Sequence, residues 1–245
     1  MFYFVVQTVP MNIVITGGSR GFGKAIAEKF ADDKQGHTIL LCSMNKEKLE
    51  AEGKQLQGRF PRTTVITKAC NLGVKQAVLE LGQWILEKLT TVDILVNNAG
   101  TFIPGSVHNE EDGTLEKMIE VNLYSAYHLT RSLLPKMMEQ KSGHIFNMCS
   151  IAALQAYNNG GAYSISKFAL AGFSKNLREE MKPYGIKVTT VYPGAAYTDS
   201  WAGTGIDPKR IMESKDIAEM IYAAAQLSPQ ACVEDILIRP QLGDL

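Results

Sequence analysis

Short apolar runs alternate with longer amphipathic segments along almost the whole chain. The short runs are rich in Val, Ile, Leu and Thr, a composition typical of buried strands. The longer segments carry apolar residues three and four positions apart, which is the period of a helix with one buried face. The runs predict strands over residues 12–16, 38–43, 64–68, 93–97, 144–150, 187–192 and 233–238. The segments predict helices over residues 22–33, 46–57, 75–89, 114–140, 162–183 and 214–227.

This alternation predicts one α/β domain over residues 11–245. Strands separated by helices form right-handed βαβ units, so we expect a seven-stranded parallel sheet with helices on both faces. Residues 1–10 precede the first strand and are interpreted as an N-terminal extension without an assigned role. They lack the basic start and small-residue cleavage site of a signal peptide.

Composition limits the classes of function. The 245 residues are 45% apolar, and 25 basic residues balance 25 acidic ones. A neutral chain is not expected to bind nucleic acid or an anionic membrane. Four cysteines stand far apart without metal-ligand spacing, so we expect reduced thiols, a cytoplasmic location and no metal. No apolar run reaches the roughly 20 residues that a membrane span needs.

A glycine-rich turn joins the first predicted strand to the first helix. Glycines 17, 21 and 23 follow the spacing G-x-x-x-G-x-G, with Ser19, Arg20 and Phe22 between them. Such a turn lets the backbone approach a diphosphate and directs a helix N-terminus at it. The position favours dinucleotide binding in a doubly wound domain of the Rossmann type over a plain strand–helix connection.

The end of the second strand bears on the choice between NAD and NADP. A carboxylate there binds the ribose 2′-hydroxyl of NAD, whereas a basic group accommodates the 2′-phosphate of NADP. Here the strand ends at Ser43 and carries no carboxylate. Arg20, with help from Ser43 and Lys46, is a candidate phosphate partner. The sequence therefore favours NADP(H), with a solvated Arg20 as the alternative.

Tyr163 and Lys167 lie four residues apart in the fifth predicted helix, and hence on one face of it. An ammonium beside a phenol is expected to lower the pKa of that phenol from about 10. Such a phenol exchanges a proton with a carbonyl or alcohol oxygen. Ser150, at the end of the fifth predicted strand, could hold the same oxygen. Alone, this spacing also fits a surface pair.

Taken together, these motifs closely resemble the short-chain dehydrogenase/reductase superfamily. The resemblance runs from residue 12 to the last strand. It rests on the glycine turn, Asn97-Asn98-Ala99-Gly100, Asn122, Ser150, Tyr163, Lys167, Pro193-Gly194 and Thr198.

The resemblance implies reduction of a carbonyl by hydride transfer from the dihydronicotinamide, with Tyr163 as the general acid. Lys167 would tune Tyr163 and hold the nicotinamide ribose, Ser150 would orient the carbonyl, and Asn122 would anchor a water relay to Lys167. The remaining implied cofactor contacts are Asn71 and Leu72 near the adenine, Asn98, Ala99 and Gly100 beside the adenosine, and Pro193, Gly194 and Thr198 at the nicotinamide. The segment from Asn97 to Gly100 would also support the sheet beside the adenosine.

This sequence departs from the family pattern at two positions. Asn71 replaces an aspartate that is common near the adenine, although an amide oxygen also accepts a hydrogen bond. Met44 stands where many NADP-dependent members have an arginine, which weakens the preference for NADP.

The substrate is far less defined. Residues 195–214 form a long connection and are the expected substrate loop. Tyr197 and Trp201, with Leu154 and Tyr157, would form an apolar or aromatic pocket, or Trp201 only packs the loop down.

The C-terminal third resembles bacterial sepiapterin-reductase-like members, in which Glu234 or Asp235 would receive pterin amino groups. Solvated charges are the favoured explanation of both residues. A 3-oxoacyl-carrier reductase is the alternative activity, and a non-catalytic dinucleotide-binding redox sensor is the alternative of another class. The resemblance also implies a homodimer or homotetramer, paired through the helix of Asn122 and the helix of Tyr163.

Overall fold

The fold is a parallel sheet with helices on both faces. A computed structural model describes residues 9–198 and 205–244 of the chain. Within these residues the main sheet has seven parallel strands in the order β3-β2-β1-β4-β5-β6-β9. The strands are β1 Asn12–Thr16, β2 Thr38–Ser43, β3 Thr64–Ala69, β4 Ile94–Asn97, β5 Gly143–Met148, β6 Ile186–Pro193 and β9 Asp235–Ile238, and a separate small ladder pairs β7 Ala196–Tyr197 with β8 Met212–Glu213.

Helices cover both faces of this sheet. They are α1 Gly21–Asp32, α2 Lys46–Arg59, α3 Lys75–Lys88, α4 Thr114–Ile119, α5 Ser125–Gln140, α6 Gly161–Met181 and α7 Ser214–Ala225. Alternate residues of β1 serve the two faces, because Ile13 and Ile15 pack against α1 and α7 while Val14 packs on the side of α3, α5 and α6. This double burial explains why the strands read as continuous apolar runs.

The sheet order places a crevice beside β1. The strand order reverses there, since β1 pairs with β2 on one side and with β4 on the other. In doubly wound sheets, ligands bind at the carboxyl ends of the strands where the order reverses. The predicted fold class is thus confirmed, and the glycine turn after β1 opens onto this crevice.

Two predicted elements differ from the structure. The helix expected over residues 114–140 is interrupted by one π-helical turn, Glu120–Tyr124, between α4 and α5. Strand β5 ends at Met148, and Ser150 follows it in an extended conformation before a 3₁₀ turn, Ile151–Ala153. Residues 1–8 lie outside the described part, so the extension over residues 1–10 and the single domain over 11–245 stay predictions.

Three further findings concern the described residues only. None of their helices has the length and apolar character to cross a membrane. No three His, Cys, Asp or Glu side chains among them are grouped closely enough to hold a metal ion. Cys42, Cys70 and Cys149 are buried free thiols, and Cys232 is a partly buried free thiol.

Candidate active site

The turn after β1 is a close-packed backbone cradle. Gly17 has a φ of +66°, which favours glycine, and a side chain there would meet the Asn98 amide at 2.8 Å. Gly23 lies closer still, because a Cβ at this position would be 2.4 Å from the Gly17 carbonyl oxygen. Helix α1 begins at Gly21, so its N-terminus faces the turn. This geometry suits a diphosphate group.

Asn98 ties this turn to the end of β4. Its Nδ2 atom donates hydrogen bonds to the carbonyl oxygens of Thr16 at 2.8 Å and Gly17 at 3.2 Å. The Thr16 hydroxyl in turn accepts from the backbone N–H groups of Asn98 and Ala99, both at 2.9 Å. Both walls of the crevice are therefore joined by hydrogen bonds in the protein itself.

Asn97 has a structural place below the crevice. Its Nδ2 atom donates to the Thr130 hydroxyl at 2.9 Å and to Asn147 Oδ1 at 2.8 Å. These buried bonds connect β4 with β5 and α5, as expected for a residue that supports the sheet.

The end of β2 offers a buried polar atom to a ligand. The Ser43 hydroxyl is buried and has no hydrogen-bond partner among the described residues. A buried hydroxyl without a partner is costly, and a ribose or phosphate oxygen would supply one. Arg20 is exposed at the N-cap of α1, whereas Met44 directs nothing polar to this edge and is 72% exposed.

The predicted adenine contacts follow β3. Leu72 is buried, and Asn71 is exposed. The Asn71 side-chain oxygen accepts a hydrogen bond from the Gly73 N–H group at 3.1 Å. This local turn orients the Asn71 amide and leaves its Nδ2 group and a second lone pair of its oxygen for a ligand.

Tyr163 and Ser150 lie beside each other at the carboxyl end of β5, close enough for their hydroxyl groups to interact. Burial raises the pKa of Tyr163, the interaction with Ser150 opposes that rise, and the nearby Cys149 adds to it. The expectation that Lys167 lowers the Tyr163 pKa is therefore wrong as a net direction in this structure. Desolvation of the phenol outweighs the stabilising contacts.

Lys167 is buried one helical turn from Tyr163. Its Nζ atom donates to the Met148 carbonyl oxygen at 2.8 Å and lies 5.7 Å from the centre of the Tyr163 ring. Burial lowers the pKa of the Lys167 ammonium, and the Cys149 thiol opposes that shift. The lysine is thus held by strand β5 as well as by its own helix.

Asn122 occupies the π-helical turn. Its Oδ1 accepts from the Thr101 N–H at 2.7 Å, and its Nδ2 donates to the Thr101 carbonyl at 3.0 Å and to the Ser166 hydroxyl at 2.9 Å. A single π turn inside a helix is frequent at functional sites. Here the turn places the buried Asn122 amide where it bonds both the N–H and the carbonyl oxygen of Thr101.

Gly100 lies next to both Asn122 and Lys167. A Cβ on Gly100 would be 3.3 Å from Asn122 Oδ1 and 3.4 Å from Lys167 Nζ. The structure therefore brings the two side chains to the same backbone position. The water relay between them stays a prediction.

Phe102 is a site residue that the sequence analysis missed. Its ring meets the Tyr163 ring edge-to-face with centroids 5.0 Å apart, and 51% of its surface is exposed. It stands two residues after the Asn97–Gly100 motif in an irregular loop. No periodic pattern pointed to it, although its proximity to that motif was a usable signal.

The structure describes some of the predicted substrate residues but not all of them. Tyr157 is 47% exposed, and its pKa is raised to about 12 by burial and by the neighbouring Tyr163 phenol. Leu154 and Tyr197 are also exposed. Trp201 lies outside the described residues.

The expected nicotinamide contacts border the same cleft. Pro193 ends β6, and the N–H of Gly194 donates to the Ile238 carbonyl at 2.8 Å. A Cβ on Gly21 would lie 3.4 Å from the Thr198 methyl group, so Thr198 lies against the glycine turn. Glu234, by contrast, is paired with Arg178 at 2.5 Å, which agrees with the favoured explanation that it is a surface charge.

Comparison with known proteins identifies the family of this chain. The sequence profile of the short chain dehydrogenase family matches residues 11–208. An uncharacterized oxidoreductase of Staphylococcus saprophyticus is 31% identical over 227 residues, which cover 93% of this chain and 96% of the relative. A sepiapterin reductase of Chlorobaculum tepidum is 30% identical over 239 residues, which cover 95% and 97% of the two chains.

Solved structures show the same architecture. A metagenomic short-chain oxidoreductase in complex with NADP superposes with a TM-score of 0.83 at 30% identity, covering 96% of this chain and 99% of the other. This chain belongs to the short-chain dehydrogenase family and is an oxidoreductase.

Proposed function

We propose that this protein reduces a carbonyl group to an alcohol with NADPH, using Tyr163 as the general acid. The observation that carries the proposal is the position of the Tyr163 phenol, beside the Ser150 hydroxyl and one helical turn from the buried Lys167. The three residues lie at the carboxyl end of β5, beside the crevice opened by the glycine turn.

Each residue has a defined task in this reaction. The hydroxyl groups of Ser150 and Tyr163 donate to the substrate oxygen and polarise the carbonyl. When bound, NADPH supplies the hydride that the carbonyl carbon accepts. Tyr163 then gives its proton to the oxygen, and its raised pKa keeps the phenol protonated for this step at neutral pH.

Lys167 and Asn122 organise the proton donor. The bond from Lys167 to Met148 fixes the ammonium between β5 and α6, where it stabilises the phenolate that remains after proton transfer. Asn122 holds Thr101 against the same side of the site. We propose that the Tyr163 phenolate regains a proton from solvent by a path that passes Asn122 and Lys167.

NADPH is favoured over NADH at the end of β2. Arg20 supplies a cation, the Ser43 hydroxyl needs a partner, and no carboxylate stands at the strand end. The metagenomic relative solved with NADP supports the same choice. Met44, at a position where an arginine would strengthen phosphate binding, limits the preference for NADPH.

The substrate site has apolar and aromatic walls. Phe102, Leu154, Tyr157 and Tyr197 all expose large side chains around this end of the sheet. Such walls suit a ketone on a flat or apolar framework, and the similarity to a sepiapterin reductase adds a pterin side-chain ketone as one candidate. A 3-oxoacyl carrier is the second candidate.

Two further properties belong to this proposal. Ile165, Phe168 and Gly172 form an exposed stripe on α6, spaced as one helix face, which supports pairing of two copies through α6 and α5. The four free thiols favour a reducing compartment such as the cytoplasm.

A carbonyl panel tests the function directly. Oxidation of NADPH and NADH is followed by absorbance with sepiapterin, a 3-oxoacyl thioester, diketones and aromatic aldehydes, with Tyr163→Phe as the blank. Turnover of one class that depends on Tyr163 supports the reductase. If NADPH binds and no carbonyl is reduced, the reductase is rejected in favour of a dinucleotide-binding sensor.

A further inference from the structure

Helix α6, which carries Tyr163 and Lys167, receives its N-terminal cap from a distant part of the chain. Its N-cap residue is Gly160, which makes no side-chain capping bond. Instead, Oε2 of Glu110 accepts a hydrogen bond from the Ala162 N–H at 3.1 Å. Free N–H groups at a helix start need such acceptors, and a carboxylate also complements the positive end of the helix dipole. The capped residue immediately precedes Tyr163.

The backbone around Glu110 is shaped to admit its side chain. A Cβ on Gly161 would lie 2.6 Å from Glu110 Oε2, and a Cβ on Gly105 would lie 2.8 Å from Glu110 Cβ. Gly105 and Gly160 also pair as a short parallel bridge, in which the Gly105 N–H donates to the Asn159 carbonyl at 3.2 Å. Larger residues at these positions would push Glu110 away from the helix. The contact between Glu110 and the start of α6 therefore depends on glycine at positions 105 and 161.

The loop that holds Glu110 touches the site at two other points. Thr101, at its start, is bonded through both backbone groups to Asn122. Phe102 packs edge-to-face on the Tyr163 ring. Residues 101–110 thus connect the π-helical turn, the Tyr163 ring and the start of α6.

We propose that Glu110 is a positioning residue, which anchors the first turn of α6 so that the Tyr163 phenol stays against Ser150. This role rests on the proposed carbonyl reduction, because it concerns the geometry of that proton donor. A reacting group displaced by about 1 Å can lose roughly 100-fold in rate, so a loose first turn would be felt in kcat. Glu110 acts through the helix and does not touch the reacting atoms.

Three variants test this role. Glu110→Ala removes the acceptor, Glu110→Gln keeps an acceptor oxygen without the charge, and Glu111→Ala changes the exposed neighbouring carboxylate as the matched control. For each we would measure kcat for the best carbonyl, the Kd of NADPH by fluorescence, and hydrogen exchange of the peptide over residues 155–165.

Glu110→Ala should lower kcat by about 10- to 100-fold, leave NADPH affinity unchanged and speed exchange at the start of α6. Glu110→Gln should recover most of the activity, and Glu111→Ala should match the wild type. An unchanged kcat in Glu110→Ala would overturn the proposal. The proposal would also fail if Glu110→Ala and Glu110→Gln lost kcat and NADPH affinity to the same extent, because that result indicates general destabilisation.

Hydrogen exchange separates this proposal from the proposed function. If the wild type reduces no carbonyl, the reductase fails, yet faster exchange in Glu110→Ala alone still supports the anchor. If the wild type is active and exchange in Glu110→Ala is unchanged, the anchor is refuted while the reductase stands. If Glu110→Ala does not fold, Glu110→Gln is tested by the same measurements of kcat and hydrogen exchange. Wild-type values of both would support an anchor that needs the acceptor oxygen of residue 110 without its charge. A loss of NADPH affinity in Glu110→Gln would count against the anchor.

Discussion

The Nζ atom of Lys167 donates a hydrogen bond to the backbone carbonyl of Met148 at 2.8 Å. This bond joins the helix that carries Tyr163 to the strand that leads to Ser150. Because both partners are buried, the bond is protected from competing water and holds the two halves of the site at a fixed spacing.

Replacement of Tyr163 tests the proton donor. Tyr163→Phe should lower kcat by about 10²- to 10⁴-fold, the range expected for a positioned general acid. NADPH affinity should stay close to that of the wild type, as measured by fluorescence titration. Tyr184→Phe, in the turn after α6, is the control and should behave as the wild type. Near-normal turnover of Tyr163→Phe would show that another group protonates the product.

The pH dependence of reduction tests the state of that phenol. Reduction needs the protonated phenol, and burial raises the Tyr163 pKa above its usual value. The value of kcat should therefore be level through neutral pH and fall only in the alkaline range, near or above the ordinary phenol pKa of about 10. Stopped-flow assays with saturating substrate would measure this profile. A fall that begins at neutral pH would contradict the raised pKa.

Crowding of the glycine cradle should weaken cofactor binding. A methyl group on Gly23 would lie 2.4 Å from the Gly17 oxygen, so Gly23→Ala must push the turn out of shape. We expect a loss of NADPH affinity of at least about tenfold, which corresponds to 1.4 kcal/mol. Gly58→Ala in α2 is the matched control, because a Cβ there has no atom within 4 Å. Equal affinity of the two variants would refute the cradle.

Arg20 should discriminate between the two cofactors. Hydrogen bonds to charged groups contribute about 1.5–3 kcal/mol, so Arg20→Ala should raise the KM of NADPH by roughly 10- to 100-fold. The KM of NADH should change little, since NADH has no 2′-phosphate. Arg62→Ala removes an exposed arginine before β3 and serves as the control. An equal rise in the KM of NADPH and of NADH would instead indicate that Arg20 binds the diphosphate, which both cofactors contain.

His144 should make the protein sensitive to acid. Burial lowers its pKa from 6.5 to about 3, with a smaller contribution from Lys187. Between these pH values the unfolded chain binds a proton that the folded protein does not, so stability is full above pH 6.5 and falls as pH drops towards 3.

Urea unfolding of the wild type measures this effect. The unfolding free energy should fall by about 2–3 kcal/mol for the first two pH units below the ordinary histidine pKa. His144→Gln should lose that part of the pH dependence, while its stability near neutral pH also changes because His144 is bonded to Thr189 at 2.7 Å. An identical pH dependence in both proteins would assign the acid sensitivity to other groups.

Local patterns were sufficient to predict the fold. Apolar runs and helix-period segments follow directly from which face of each element is buried, and each of the predicted strands is present in the sheet. The glycine spacing likewise identified the turn after β1, because only glycine allows the close approaches at positions 17 and 23. The helix over residues 114–140 was predicted without its π turn, since a one-residue insertion in a helix leaves little trace in periodicity.

The tertiary structure alone decided the chemistry around Tyr163. The sequence places Lys167 one turn away and so suggested a lowered phenol pKa, but the burial that raises it depends on residues from other elements. Phe102 and Glu110 reach the site from an irregular loop, and their partners Tyr163 and Ala162 are more than 50 positions away. Such contacts are set by how the chain folds back on itself, because loops carry no periodic signal and burial belongs to the whole fold.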